Sequence, residues 1–282
     1  MKRYLLIITG SIAVITIVCF IRGLNTHRPI LGIPPTAQQT NRIINNKNLS
    51  INNAFILLKT RKDDAASSIF AQILIEHPDN LDALWGKAEI LRRKRNYQQA
   101  EDLLNTILNK KPVHLPSLNS LAYIKYNAGR LDEASGLAKR VIKNGGVDKE
   151  NTALAFLMLG SINSKRASEG WIFDKVRFGT QIKECFLKAR ELSPDLPEVH
   201  LGLGTFYLLA PKIIGGNTNK AVEELDLSVK LAPGFATANA RLAQAYKEKG
   251  NKEKYEFFIS QAKSLDPENE VLKQLEEKQP AL

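Results

Sequence analysis

Helix-ending residues recur at one fixed interval along the chain. The apolar run IFAQILIEHP ends at Pro78, and the similar run LLNTILNKKP ends at Pro112, 34 residues later. A further 34 residues lead to Gly146, and the same interval separates Pro233 from Pro267. A unit of this length cannot bury its apolar face alone, so the period predicts an array of stacked helical hairpins.

The order of small and large residues within each period resembles the tetratricopeptide repeat (TPR). In residues 81–114, Ala88 and Ala100 occupy the positions at which the two helices of that repeat touch, and Leu84 and Leu104 fill the wider gaps. The resemblance implies an all-α fold, a right-handed α-solenoid of about six helix hairpins. The predicted units are 47–80, 81–114, 115–148, 149–196, 197–235 and 236–269.

Two of these units are longer than the period. The fourth needs about ten extra residues around Ser168–Arg177, and the fifth needs extra residues within Ala210–Lys220. The first insertion, GWIFDKVRFG, mixes apolar and charged residues. This pattern favours packing against the solenoid, with contact to a partner or membrane surface as the alternative. Residues 270–282 are predicted to form a capping helix and tail, because a solenoid must cover its last apolar face.

The N-terminal segment predicts a membrane anchor. Tyr4 to Ile21 are uncharged, with Lys2 and Arg3 before them and Arg22 after them. Residues 1–22 are therefore predicted to form one uncleaved transmembrane helix, with a cleaved signal peptide as the alternative. Residues 23–46 contain three prolines and predict a flexible tether. The expected location is the bacterial inner membrane, single-pass, with the repeat domain on the periplasmic side.

The charge and the distribution of reactive residues argue against several functions. The net charge is +11, but residues 1–46 hold five basic residues and no acid, which leaves +6 for the rest and does not favour a nucleic-acid partner. No phosphate-binding loop is present, and the four histidines are scattered without metal-ligand spacing. We therefore expect no catalytic residue, metal site or cofactor, and no enzymatic activity.

The TPR resemblance also implies a concave binding groove, built from the first helix of each unit. Aromatic residues at such positions offer large contact areas, and Arg92 and Arg93 could hold a carboxylate of a bound peptide. The alternative is that the chain's own tether or first insertion covers this surface. TPR domains that clamp the C-termini of chaperones have Lys or Arg and Asn at two positions of their first unit. Here Ile51 and Phe55 occupy those positions, so this mode of binding is not expected. The predicted groove residues are Phe55, Trp85, Glu89, Arg92, Arg93, Asn119, Tyr123, Tyr126, Asn127, Leu157 and Leu201.

The resemblance implies a scaffold that binds protein or peptide partners, here at a membrane and in envelope assembly or secretion. The alternative is a transport accessory protein that holds a small hydrophobic ligand. Residues 209–221 resemble a loop in the T-components of tripartite ATP-independent periplasmic transporters. The basic run Arg92–Arg95 is predicted to be a solvent-exposed face, with an anionic partner or lipid headgroups as the second interpretation.

Overall fold

The computed structural model describes residues 50–277, except for the side chains of 172–176 and 180. This part of the chain is all-helical, which confirms the predicted fold class for the repeat region. The helices are α1 Ile51–Lys59, α2 Asp63–Glu76, α3 Leu81–Arg93, α4 Tyr97–Lys110, α5 Leu115–Asn127, α6 Leu131–Asn144, α7 Lys149–Glu169, α8 Ile172–Leu192, α9 Pro197–Leu209, α10 Thr218–Leu231, α11 Ala236–Glu248, α12 Lys252–Leu265 and α13 Glu270–Glu277.

Consecutive helices pack as hairpins, and the hairpins stack side by side. The odd-numbered helices α1 to α11 each contact the next odd-numbered helix, so they form an inner layer along the solenoid. Small residues lie fully buried where paired helices come closest, because a larger side chain would force the two backbones apart. These residues include Ala54, Ala66, Ala88, Ala100, Ala122, Ala134, Ala221, Ala243 and Ala262.

The turn inside a hairpin uses the same backbone geometry in several units. The second residue after the first helix has positive φ at Arg61 (61°), Arg95 (61°), Gly129 (75°) and Gly250 (73°). At Gly129 the next amide, that of Arg130, donates to the carbonyl of Lys125 and closes the helix end. Glycine adopts this left-handed conformation without a steric penalty, whereas arginine adopts it only at a steric cost.

The two insertions take different forms. In the fourth unit the extra residues lengthen both helices, since α7 and α8 are 21 residues each and meet at a turn through Gly170 and Trp171. In the fifth unit a short 3₁₀ helix, Lys212–Ile214, follows α9. Gly215 then turns the chain with φ of 107°, and the side chain of Asn217 caps α10.

No helix within residues 50–277 combines the length and the apolar character needed to cross a membrane. The predicted anchor at residues 4–21 and the tether at 23–46 lie outside the described residues. C-terminally, α13 covers α11 and α12 with Val271, Leu272 and Leu275, as a capping helix would.

Replacing Gly160 by alanine should lower the free energy of unfolding by about 1–3 kcal/mol through overpacking. A Cβ atom there would lie 2.3 Å from Cε1 of Phe186, whose ring is buried between α7 and α8. The matched control is Gly136→Ala in α6, where a Cβ would meet nothing within 4 Å. The control should be neutral or gain up to about 1 kcal/mol from helix propensity. Urea denaturation of both variants measures this, and equal midpoints would contradict the close packing of α7 on α8.

Candidate functional site

The residues predicted to line a groove lie on the inner layer of helices, but most of them are buried. Asn127 is partly exposed, and so is Arg93 as a whole residue, although the side chain of Arg93 is only 5% exposed. The inner layer is therefore packed and is not an open groove, and the assignment of these residues to partner binding stays a prediction. The nine buried residues are Phe55, Trp85, Glu89, Arg92, Asn119, Tyr123, Tyr126, Leu157 and Leu201.

A hydrogen-bond network joins the second and third units around Glu89. The indole N–H of Trp85 donates to Oγ of Ser120 over 3.1 Å, and Ser120 Oγ donates to Oε2 of Glu89 over 3.1 Å. Arg92 donates from Nε to the same carboxylate oxygen over 2.8 Å, and from Nη2 to the other oxygen. Its guanidinium also stacks 4.1 Å from the ring centroid of Tyr123. These contacts hold α3 against α5.

The charge state of Glu89 follows from its two arginine neighbours. Burial by itself raises the pKa of this carboxyl, but the charges and hydrogen bonds of Arg92 and Arg93 outweigh burial and lower the pKa below its ordinary value. Burial raises the pKa of the Tyr123 and Tyr126 hydroxyls. Glu89 is therefore an ionised carboxylate that neutralises buried cations, and it is not poised as a general acid.

Only two of the four residues in the basic run at the end of α3 are exposed to solvent. Lys94 and Arg95 are exposed, but Arg92 is buried and the side chain of Arg93 is only 5% exposed. Arg93 donates from Nε to Glu89, and from Nη1 to the carbonyl of Leu58 and to Asp63. The prediction of a solvated run is therefore wrong for Arg92 and Arg93, because acidic partners in α2 and α3 bring them into the interior.

Residues of the first two units contact the last two units, so the solenoid closes on itself. Arg61 reaches Oε1 of Glu198 in α9 over 3.4 Å, and its guanidinium carbon lies 4.5 Å from the ring centroid of Phe235. Arg95 donates to Oδ2 of Asp266 over 3.1 Å and to the carbonyl of Glu268 over 3.0 Å. We call these the closing contacts. They bring the two ends of the solenoid together.

Where the two ends meet they leave a pocket of about 640 Å³, here called the junction pocket. Its walls come from the α1–α2 turn, the α3–α4 turn, the segment before α11 and the α12–α13 turn. Volumes of this order are typical of sites for small ligands or short peptide segments. Its cations are Arg61, Arg92, Arg93, Lys94 and Arg95, its acids are Asp63, Asp266 and Glu270, and its apolar residues include Phe235, Ala236, Leu265, Pro267 and Val271.

The junction pocket includes three of the residues predicted for the groove, Arg92, Arg93 and Tyr123. The remaining predicted residues do not line it. Sequence reasoning did not single out Arg61 and treated Arg95 only as part of the basic run Arg92–Arg95, although the sequence contained a further signal for both. They are 34 residues apart and in register with Gly129, so each stands at a turn position that another unit fills with glycine.

Within the described part of the chain, no group of three His, Cys, Asp or Glu side chains is placed to share a metal ion. Burial raises the pKa of the Cys185 thiol to about 11, helped by the charge of Glu184. A thiol with this pKa is protonated near neutral pH and is a poor nucleophile.

Comparison with protein families identifies the repeat. Two segments match the tetratricopeptide repeat, residues 57–122 and residues 236–269. The second segment coincides with the sixth unit predicted from the sequence. No curated protein matches the chain. The comparisons give no support to the resemblance of residues 209–221 to transporter T-components, nor to membrane anchoring.

The solved structures that resemble this chain are distant in sequence. A thermophilic TPR protein of Thermus thermophilus is 16% identical, with a TM-score of 0.57, over 69% of this chain and 96% of that one. Human IFIT1, in a dimer with m7Gppp-AAAA, is 17% identical with a TM-score of 0.57, over 80% of this chain and 52% of that one. PilW, a type IV pilus biogenesis factor, is 16% identical over 82% of this chain and 99% of that one, with a lower TM-score of 0.48.

Proposed function

Because the chain carries tetratricopeptide repeats in a closed helical solenoid, we propose that it is a scaffold that binds a segment of a partner protein in the junction pocket. The observation that carries this proposal is the pocket itself. It opens between the two ends of the solenoid and offers charged, hydrogen-bonding and apolar groups together. The buried inner layer offers no comparable access, which favours the junction pocket over the groove as the binding site. We further propose that the protein acts by binding and not by catalysis.

A photo-crosslinking experiment tests the pocket in intact cells. A benzophenone amino acid in place of Leu265, which lines the pocket and is 44% exposed, should give an adduct with a specific protein. The matched control places the same amino acid at Ile75, an exposed position on α2 that does not line the pocket. An adduct of equal yield at Ile75, or none at Leu265, would argue against this binding site.

The rival function is a transport accessory protein that holds a small hydrophobic molecule. Mass spectrometry of gently purified protein separates the two functions. A co-purifying small apolar ligand would favour the rival, whereas a reproducible protein adduct at Leu265 would favour the scaffold. The eight charged side chains around the junction pocket make a purely apolar ligand the less suitable occupant.

We further propose that residues 4–21 anchor the scaffold in a bacterial inner membrane, with the repeats outside the cytoplasm and acting in envelope assembly or secretion. The support is the uncharged segment between basic flanks. An alkaline phosphatase fused after Leu282 should be active, and a fluorescent protein that matures only in the cytoplasm should be dark there. The opposite pair of results would reverse the orientation.

A further inference from the structure

We propose that the junction pocket recognises an acidic side chain, Asp or Glu, in an otherwise apolar segment of the partner, and that Arg61 and Arg93 bind its carboxylate. This inference rests on the proposed function and names the chemistry of the ligand. It differs from the carboxylate clamp predicted to be absent from the first unit, because these arginines come from the α1–α2 turn and the end of α3 and face residues near the other end of the solenoid.

The lining of the pocket has an excess of positive charge. Five of its side chains are cations and three are acids. Two of those acids are already engaged, Asp63 with Arg93 and Asp266 with Arg95. The other cations also have acidic partners, but these partners do not line the pocket: Glu198 pairs with Arg61, Glu89 with Arg92 and Arg93, and Asp64 with Lys94. Among the side chains that line the pocket, cations therefore outnumber acids, because several of their counter-charges lie behind the lining.

Arg93 has a donor that the protein does not use. Its Nη2 is buried and has no hydrogen-bond partner, although Nε and Nη1 of the same guanidinium are fully engaged. Buried donors are nearly always paired, so an unpaired one on a charged group indicates a missing acceptor. A carboxylate oxygen supplies such an acceptor and forms a charge-assisted hydrogen bond.

Arg61 also lines the pocket, and the charges of Glu198, Asp63 and Glu89 compensate its own charge only in part. Its contact with Glu198 is long, at 3.4 Å, and uses one carboxylate oxygen. Burial, followed by the charge of Arg93, lowers the pKa of Arg61 to about 9. Two guanidinium groups thus repel each other at the pocket, and an anion bound by both would relieve that repulsion.

The backbone at Arg61 and Arg95 is an independent sign that these side chains are needed. Within residues 50–277, these two are the non-glycine residues with positive φ. This conformation is unfavourable for any residue that has a Cβ atom. Units three and six place glycine there instead. Strained backbone conformations of this kind concentrate at binding and catalytic sites, where the surrounding structure holds them in place. Both arginines line the junction pocket.

The remaining lining favours a peptide over a nucleic acid. Asp63, Asp266 and Glu270 would repel a phosphate backbone, which carries a charge on every nucleotide, but they can accept hydrogen bonds from peptide amides. Phe235 and Leu265 offer apolar surface for side chains that flank a single carboxylate. One acidic residue among apolar neighbours therefore matches the pocket.

Binding of defined peptides to the full-length protein in mild detergent tests the inference. The probe is a fluorescent five-residue peptide with one central glutamate flanked by leucines, acetylated and amidated so that only the glutamate side chain carries charge. Its glutamine counterpart should bind at least about tenfold more weakly in anisotropy titrations, because it loses the charge-assisted bonds. A glutamine peptide with a free C-terminus tests the chain terminus as the source of the carboxylate, and a five-nucleotide single strand tests phosphate.

A second measurement does not depend on any variant. In protein with ¹⁵N-labelled arginine, the glutamate peptide should shift the Nε resonances of Arg61 and Arg93, and should leave that of Arg130 unchanged. Arg130 is exposed, pairs with Glu133 and does not line the pocket.

A third measurement uses variants. Arg93→Gln should weaken binding of the glutamate peptide about tenfold, and the control Arg130→Gln should not weaken it. If Arg93→Gln does not fold, the resonance shifts decide.

Several results would overturn the inference. These are equal affinity for the glutamate and glutamine peptides, tighter binding of the free C-terminus or the oligonucleotide, no binding at all, or binding that leaves the Arg61 and Arg93 resonances unchanged. If none of the peptides binds but crosslinking at Leu265 still captures a protein, the scaffold function stands and the carboxylate is wrong. If crosslinking fails as well, both fail.

Discussion

Replacing Glu89 by alanine should lower the free energy of unfolding by about 3–5 kcal/mol. The carboxylate is fully buried and neutralises Arg92, which is itself buried, and Arg93. Its removal leaves a guanidinium in the interior without its main counter-charge, and Ser120 loses the acceptor for its hydroxyl. Urea denaturation at pH 7 measures the loss.

Glu133→Ala is the matched control. Glu133 also pairs with an arginine three residues away, Arg130, but both side chains are about half exposed, so the loss should stay below about 1 kcal/mol. The pH dependence gives a second check. Because the folded-state pKa of Glu89 is lowered, its contribution is present above its ordinary value of 4.5 and is lost as the pH falls further. The gap between wild type and Glu89→Ala should therefore narrow below that pH. Equal losses for both variants at pH 7 would refute the buried network.

Replacing Trp85 by alanine should also cost about 3–5 kcal/mol, because it opens a large cavity in the inner layer. The indole is fully buried, its ring centroid lies 5.8 Å from that of Phe55, and its N–H donates to Ser120. From the sequence alone, Trp85 resembled a contact residue whose loss would weaken partner capture and leave the fold intact. Its burial changes that expectation to a loss of stability.

The second tryptophan of the chain is the control for the first. Trp171 lies at the turn between α7 and α8 and is 79% exposed, so Trp171→Ala should change the unfolding free energy by about 0.5 kcal/mol or less. Melting temperature and photo-crosslinking at Leu265 are measured on both variants. If Trp85→Ala abolished the adduct while its melting temperature stayed that of the wild type, Trp85 would be a contact residue after all.

The local features of the fold could be predicted because they depend on short-range patterns. The interval between Pro78 and Pro112 gave the period, and buried small residues such as Ala88 and Ala100 marked where the helices of a hairpin meet. The same register also placed Trp85 and Tyr123 on the inner layer. These features follow from the spacing of residues within one unit and need no knowledge of distant units.

The binding surface could not be predicted in the same way, because exposure of the inner layer depends on how far the solenoid winds. Arg61 and Glu198 are 137 residues apart in sequence, and no pattern within one unit encodes their contact. The second insertion gave no better indication, since Ile213 is exposed and the loop lies away from the junction pocket lining. The arginines in glycine register were the available signal for the junction pocket.

The closing contacts also change how this array should lose its structure. In a linear array each repeat touches only its neighbours, so an end can fray without consequence for the opposite end. Here Arg95 of the second unit bonds to Asp266 and Glu268 at the far end, and Arg61 of the first unit packs on Phe235. The ends therefore support each other as in a ring. Melting should be a single cooperative transition, and deletion of α12 and α13 should make α1 and α2 sensitive to proteases.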